Sequence, residues 1–375
     1  MAGIVFVTWD GGGNLPPALG IAAELAARGE QVRFLGHEQQ RAAVEGAGLR
    51  FEPYRHARPW SSAAPSHGAP GDVPVFSVFA DTGPGEDLLA SVRRESADLV
   101  VIDCLLLGAL AAADRAGLRR AVLAHTYYHF LAGQWSHGPA GQFCRARGQR
   151  PVRLWSAADL LLVATLADLD PAAGHGAPAN VCYTGPVVRG PAHPPVPADG
   201  PPRILVSLST TYFPGQEQAL QSILDAVADL PVRAVVTTGP AIDPERLRAA
   251  GNCEVHRYLP HDEVLPSVSL VIGHGGHATT MRALAWNRPL LIMPMHPMLD
   301  QPMIGQTVSE HGAGEVLPGT ASPARIAEAV GRLLSDGPHR AAAERLGAKI
   351  RARDGAAVAA DRLTAVLAPA RSAGR

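Results

Sequence analysis

Short apolar runs alternate with amphipathic stretches along this chain. Ile4–Thr8, Gln31–Leu35, Leu99–Ile102 and Ala121–Ala124 read as buried strands. Pro16–Arg28 and Leu105–Ala116 read as helices between them. In the first helix Leu19, Ala22, Ala23 and Ala26 fall at helical spacing. Pro16 and Pro17 suit an opening turn, where a missing N–H is not needed. Strands alternating with helices imply a mostly parallel sheet covered on both faces.

Between Gly185 and Arg203 the pattern stops. Prolines and glycines crowd the segment and no apolar period survives, so it reads as an extended linker. The alternation then restarts. Ile204–Ser207, Arg233–Thr237, Leu270–Ile272 and Leu290–Met293 read as strands; Gly215–Ala228 and Ala278–Trp286 read as helices. The expected organisation is an α/β chain of two Rossmann-like domains, 1–188 and 203–350. A linker at 189–202 joins them and 351–375 is a C-terminal helix or tail; the Ala- and Arg-rich stretch Pro323–Ala368, helical in period, is expected to pack on the domains. Ligands of such sheets bind beyond the carboxyl ends of the strands, and two facing halves would share one cleft. Arg55–Pro74, rich in Pro, Gly, Ser and His, reads as a long loop of the lid or binding-wall kind.

The 375 residues suffice for two domains. A formal net charge of -1 gives no electrostatic footprint for nucleic acid or an anionic membrane. No apolar run approaches the roughly 20 residues that span a bilayer. The chain enters a strand at Ile4 without a basic flank or cleavage pattern, so no signal peptide is expected. Cys104, Cys144, Cys182 and Cys253 include no Cys-x-x-Cys pair, which suits reduced thiols and a cytoplasmic protein.

The chemistry concentrates in the second half. Val271-Ile-Gly-His-Gly-Gly-His-Ala-Thr-Thr280 runs from a buried strand through a glycine-rich turn into a helix. Such a helix mouth offers bare N–H groups to an anion. Gly275 and Gly276 permit close approach of backbone to a ligand. The plain alternative is a glycine turn whose His274 packs locally. Zinc at His274 and His277 is disfavoured, because no cysteine or acidic residue nearby completes a tetrahedral set. Asp300-Gln301 adds a carboxylate and an amide, suited to a polyhydroxy ligand or to a helix start.

His274-Gly-Gly-His-Ala-Thr, then Asn287-Arg-Pro-Leu-Leu-Ile-Met-Pro, then Asp300-Gln301-Pro resembles the nucleotide-sugar signature of family-1-type GT-B glycosyltransferases, in the style of the bacterial natural-product branch. The resemblance implies an inverting transfer from a dTDP- or UDP-sugar to a small hydrophobic natural product. It implies no cofactor and no metal, since helix ends and side chains neutralise the leaving diphosphate. His274, Gly275, Gly276, Thr279 and Thr280 would take the diphosphate, and Asp300 and Gln301 the sugar hydroxyls. Tyr258 and Leu259 would sit at the base, and Ser209 and Thr210 along the phosphate side. The implied partners are a nucleotide sugar and an aglycone. The oligomeric state stays open, a homodimer included.

Two positions depart from that family. Plant members carry a glutamate for the ribose hydroxyls where this chain has Arg282, which favours dTDP-sugars. The family's loop histidine, which deprotonates the acceptor, falls at Gly12 when Asn14 is aligned. Asp103 matches the aspartate that orients that histidine. Asp10 or Asp103 could be the base instead, and a carboxylate suits C- or N-glycosylation or an acidified phenol better than an alcohol. His125 and His129, after the strand Ala121–Ala124, are expected with Gly12 and Asn14 in the acceptor pocket, and either histidine could supply the base. The rivals are a donor-binding protein without catalysis and a nucleotide-sugar epimerase or hydrolase.

Overall fold

The computed structural model describes residues 1–62, 75–174, 176–188, 190–191, 194–195, 200–335 and 337–367. They divide into two compact units. One takes the described parts of Met1–Ser61, Pro70–Val187 and Arg353–Arg375; the other is built mainly from Val188–Ala352. Residues 63–74 of the expected loop Arg55–Pro74 and 368–375 of the tail lie outside the described residues, as do 189, 192–193 and 196–199 of the linker.

Among the described residues the first unit carries a seven-stranded sheet. Its strands are β1 (Gly3–Val7), β2 (Gln31–Gly36), β3 (Arg50–Pro53), β4 (Leu99–Asp103), β5 (Arg120–Ala124), β6 (Leu160–Val163) and β7 (Val181–Tyr183). They lie in the order β3-β2-β1-β4-β5-β6-β7, all parallel. The direction of winding reverses between β1 and β4, the place where sheets of this kind bind ligands. β4 and β5 are buried at every residue, which explains their unbroken runs of apolar side chains. β3 and β7, at the edges, are short and only half-buried, and their sequences show little apolar pattern.

The second unit repeats the plan. Its strands are β8 (Arg203–Ser207), β9 (Arg233–Thr237), β10 (Cys253–His256), β11 (Leu270–Gly273), β12 (Leu290–Ile292) and β13 (Gly314–Val316). Their order is β10-β9-β8-β11-β12-β13, again parallel, with the reversal between β8 and β11. The core packs β8, β9, β11 and β12 against the helices Gln216–Val227 and Pro323–Leu334.

The described part of the stretch Pro323–Ala368 forms helices, and its last two go to different units. Pro338–Arg351 belongs to the second unit and packs on the helix His277–Ala285. Gly355–Leu367 belongs to the first, where Ala359, Ala360 and Leu363 join Ile4, Phe6, Ile21 and Leu25 in one core. The helix Leu15–Ala27 lies against it. Leu363 is fully buried there. Leu363→Ala should lower stability by about 2–5 kcal/mol, the cost of a cavity in a packed core. Urea unfolding measures this, and a loss under about 1 kcal/mol would show that the helix adds little to the first unit.

Candidate functional site

In the first unit the odd-numbered residues of β4 and β5 share a face with Ile4 and Phe6, because side chains alternate along a strand. Carrying that alternation past the strand ends puts Thr8, Asp103 and His125 in line at the carboxyl edge. Asp103 pairs in register with Leu123, two residues before His125. The polar contacts bear this out. Asn14 is buried and its Nδ2 donates to Asp103 Oδ2 at 2.9 Å, with Thr8 Oγ1 at 3.2 Å and the Trp9 carbonyl at 3.0 Å beside it. The other Asp103 oxygen accepts from the Leu105 N–H at 2.9 Å. His125 Nδ1 stands 3.5 Å from Asp103 Oδ2 and 3.8 Å from Cys104 Sγ.

The loop from Thr8 to Asn14 is pinned from several strands. Tyr54 Oη donates to the Thr8 carbonyl at 2.6 Å and Gln40 Nε2 to the Trp9 carbonyl at 2.9 Å. Asp10 donates its backbone N–H to His37 Nδ1 at 3.2 Å, and its carbonyl accepts from Trp60 Nε1 at 2.9 Å. His37 Nε2 faces the Arg58 carbonyl at 3.2 Å, so both ring nitrogens of His37 are engaged. Trp9 packs edge-on against Phe79, which continues into Trp135. His37, Gln40, Tyr54 and Trp60 were not foreseen. His37 follows directly on β2 and Tyr54 on β3, and that position was the available signal. His129 is exposed, and its backbone N–H is taken by Asp170 at 3.2 Å. Of the two foreseen histidines, His125 is therefore the one beside Asp103.

Asp103, Cys104 and His125 also present ligand atoms within 4.8 Å of one another. Each carboxylate oxygen of Asp103 already accepts an N–H, so the carboxylate is fixed in place beside His125 and Cys104.

In the second unit His274 follows β11 directly, and Gly276 caps the helix His277–Ala285. Gly275 has φ 85°, and a Cβ there would lie 2.8 Å from the Gln301 carbonyl. The two separated pieces of the sequence signature thus meet at one glycine. A Cβ on Gly276 would collide with the His274 ring at 2.4 Å. Phe213, on the loop after β8, stacks near His274 at 6.2 Å and near His296 at 6.3 Å. Neither Phe213 nor His296 was foreseen.

The remaining foreseen residues divide by accessibility. Tyr258 is 71% exposed and Leu259 half-buried. Thr279 is half-buried, while Thr280 is buried inside its helix. Gln301 is buried, and its Oε1 accepts from the backbone N–H groups of Met295 and His296 at 2.7 and 3.1 Å, fixing the loop that precedes Asp300. Ser209 Oγ accepts from the Thr211 N–H at 2.9 Å, and the Ser209 carbonyl from Gln216 Nε2 at 3.1 Å, so this loop is set before any ligand arrives. Thr210 lies in that loop, exposed. Arg282 faces Asp262 at 3.5 Å. Asn287 sits just past the helix His277–Ala285 at φ 62°, a left-handed position that asparagine tolerates, which gives it a structural reason to stand in the motif.

Burial pushes the His274 imidazole down to about 4, and no described residue hydrogen-bonds its Nδ1. It is neutral at pH 7. An unfolded chain takes up this proton near 6.5, before the folded one does. The stability that His274 contributes is therefore complete above about pH 6.5 and drains away as pH falls toward 4. NMR titration should show no charging of His274 between roughly pH 5 and 8, and His274→Gln should flatten the acid loss. A ring titrating near 6.5 would contradict its burial.

Residues 221–366 match the family described as erythromycin biosynthesis protein CIII-like, C-terminal domain. Demethyllactenocin mycarosyltransferase of Streptomyces fradiae is 27% identical, over 99% of this chain and 87% of its own. The calicheamicin glycosyltransferase CalG4 superposes with a TM-score of 0.79 at 25% identity, over 100% of both chains. The glycosyltransferase VinC in complex with dTDP shares the fold, with a TM-score of 0.72 at 19% identity over 97% of this chain and 99% of that one. These likenesses make the chain a glycosyltransferase with the GT-B fold, whose residues 221–366 form an erythromycin biosynthesis protein CIII-like C-terminal domain.

Proposed function

We propose that the protein transfers a sugar, with inversion and without a metal, from a dTDP- or UDP-sugar to a small hydrophobic natural product. The second unit holds the donor and the first the acceptor. The observation that carries this is the His274 Nδ1: buried, neutral and without a hydrogen-bond partner among the described residues, at the head of the helix His277–Ala285. A buried polar group left unpaired costs about 1–3 kcal/mol. A phosphate oxygen at the helix mouth would accept from this nitrogen and from the first-turn N–H groups, offsetting the charge that grows on the leaving diphosphate. Asp300, with the Gln301 amide NH2, is assigned to sugar hydroxyls. The exposed Tyr258 face is assigned to the nucleotide base.

Arg282 with Asp262 gives the ribose side a cation where the plant pattern has a glutamate. That supports dTDP-donors over UDP-donors, as does the dTDP complex of VinC. A relative named for mycarosyl transfer to demethyllactenocin supports a natural-product aglycone. The loop after β1 supports a second reading for the accepting atom. It presents Asp10 and no histidine, and a carboxylate base suits carbon or nitrogen acceptors.

Calorimetry with a panel of nucleotide diphosphates, followed by turnover with aromatic and macrocyclic acceptors, tests the proposal. Binding of dTDP should exceed that of UDP, and His274→Ala should weaken it about 10- to 100-fold, as loss of a hydrogen bond to a charged group does. Equal affinity for dTDP and UDP would end the donor assignment. Absence of any nucleotide binding, or a His274→Ala protein that binds and turns over normally, would end the proposal itself.

A further inference from the structure

We propose that His125 is the general base that deprotonates the acceptor hydroxyl, supplied by the loop after β5 in place of the histidine that the loop after β1 lacks. The inference rests on the glycosyl-transfer reading above and names the residue that activates its acceptor. Asp103 and Asn14 are positioning residues: they act through His125 and do not touch the acceptor.

The geometry of the switch point carries it. Asp103 ends β4, and His125 follows β5 on the same face of the sheet. Its Nδ1 faces the carboxylate at 3.5 Å. That contact is long for a hydrogen bond, as such pairs often are before a substrate closes the site. No described residue hydrogen-bonds Nε2. The side chain retains 17% of its exposure, so the ring is reachable yet held. Asp103 is itself fixed by the Leu105 N–H and by Asn14 Nδ2, so it can aim the ring and stabilise the imidazolium.

Three other histidines described in this unit are less suited. His37 has both ring nitrogens engaged. His129 is exposed, and its backbone N–H goes to Asp170, not to Asp103. His56 pairs with Asp87 at 2.6 Å, but beyond the edge strand β3, where the same carboxylate also pins the backbone of residues 55–57. Gly12 has φ 75°, a left-handed conformation that favours glycine over a histidine, so the path of this loop suits the residue it carries.

In the step, Nε2 takes the proton of the acceptor hydroxyl. The oxygen lone pair forms the new bond to the anomeric carbon. The bond from that carbon to the diphosphate oxygen breaks, and its electron pair leaves with the nucleoside diphosphate. The imidazolium beside Asp103 then returns its proton to solvent.

The test has two parts. Nitrogen NMR of the full-length protein at neutral pH, without substrate, should show His125 as the Nδ1–H tautomer, and Asp103→Asn should lower that population. An Nε2–H tautomer overturns the proposal. Turnover is then compared across phenols of graded acidity and an aliphatic alcohol. His125→Gln should lower kcat on the alcohol about 100- to 10,000-fold, with a loss that shrinks as the acceptor becomes more acidic and with dTDP affinity unchanged. Asp103→Asn should lower kcat less and leave KM for the donor in place. A kcat within threefold of the parent protein on every acceptor turned over, or a loss independent of acceptor acidity, overturns the proposal. So does activity abolished by a chelator and restored by zinc. Failure of the parent protein to bind any nucleotide refutes the glycosyl-transfer reading instead, and the tautomer measurement still judges the Asp103–His125 pair.

Discussion

The Asn14 amide is the point from which the first unit's functional edge is organised. It is buried, and one nitrogen reaches Thr8, the Trp9 carbonyl and Asp103. Those three partners belong to the carboxyl ends of two strands that are neighbours only because the winding reverses between β1 and β4. A sheet that wound in a single direction would place a helix connection where this amide stands. The reversal opens the crevice, and the hydrogen bonds decide which side chains face it. Burial strengthens them, since a low dielectric makes each bond harder to give up once formed.

The second unit solves the same problem with glycine where the first uses an amide. Gly275 lets the loop after β11 pass close to the backbone of Gln301. Gln301 in turn holds the loop before Asp300 through its side-chain Oε1. Two sequence segments about 25 residues apart thereby become one wall. His274 can stay neutral there because burial opposes its charge and no described carboxylate offsets that. A neutral ring donates to an anion without adding a fixed positive charge that would hold the product after reaction.

The sequence made the interior of each sheet plain and its edges obscure, for one physical reason. Leu99–Asp103 and Arg120–Ala124 are covered on both faces, so nearly every residue must be apolar. Cys253–His256 and Gly314–Val316 lie at sheet edges, face solvent on one side and keep little of that pattern. The donor signature was legible because its glycines answer to local backbone demands. Asp103 was legible as a strand-end carboxylate. Its pairing with His125 depends on register between β4 and β5, which periodicity within either strand does not disclose. His37 and Tyr54 were missed for a related reason: each acts across the sheet on a loop distant in sequence.

The helix Gly355–Leu367 completes the core of the first unit after the chain has built all of the second. The connectivity therefore makes the first unit discontinuous in synthesis. As the chain leaves the ribosome, the sheet around β1 must wait, with Ile4 and Leu25 uncovered, while residues 188–352 emerge. Residues 188–352, which build most of the second unit, form one stretch and can fold as soon as they are made. The same crossing constrains recombination: exchanging the second unit between relatives takes two joints, near 187 and 353, and a chimera joined only at the first would borrow a foreign helix to close its own core.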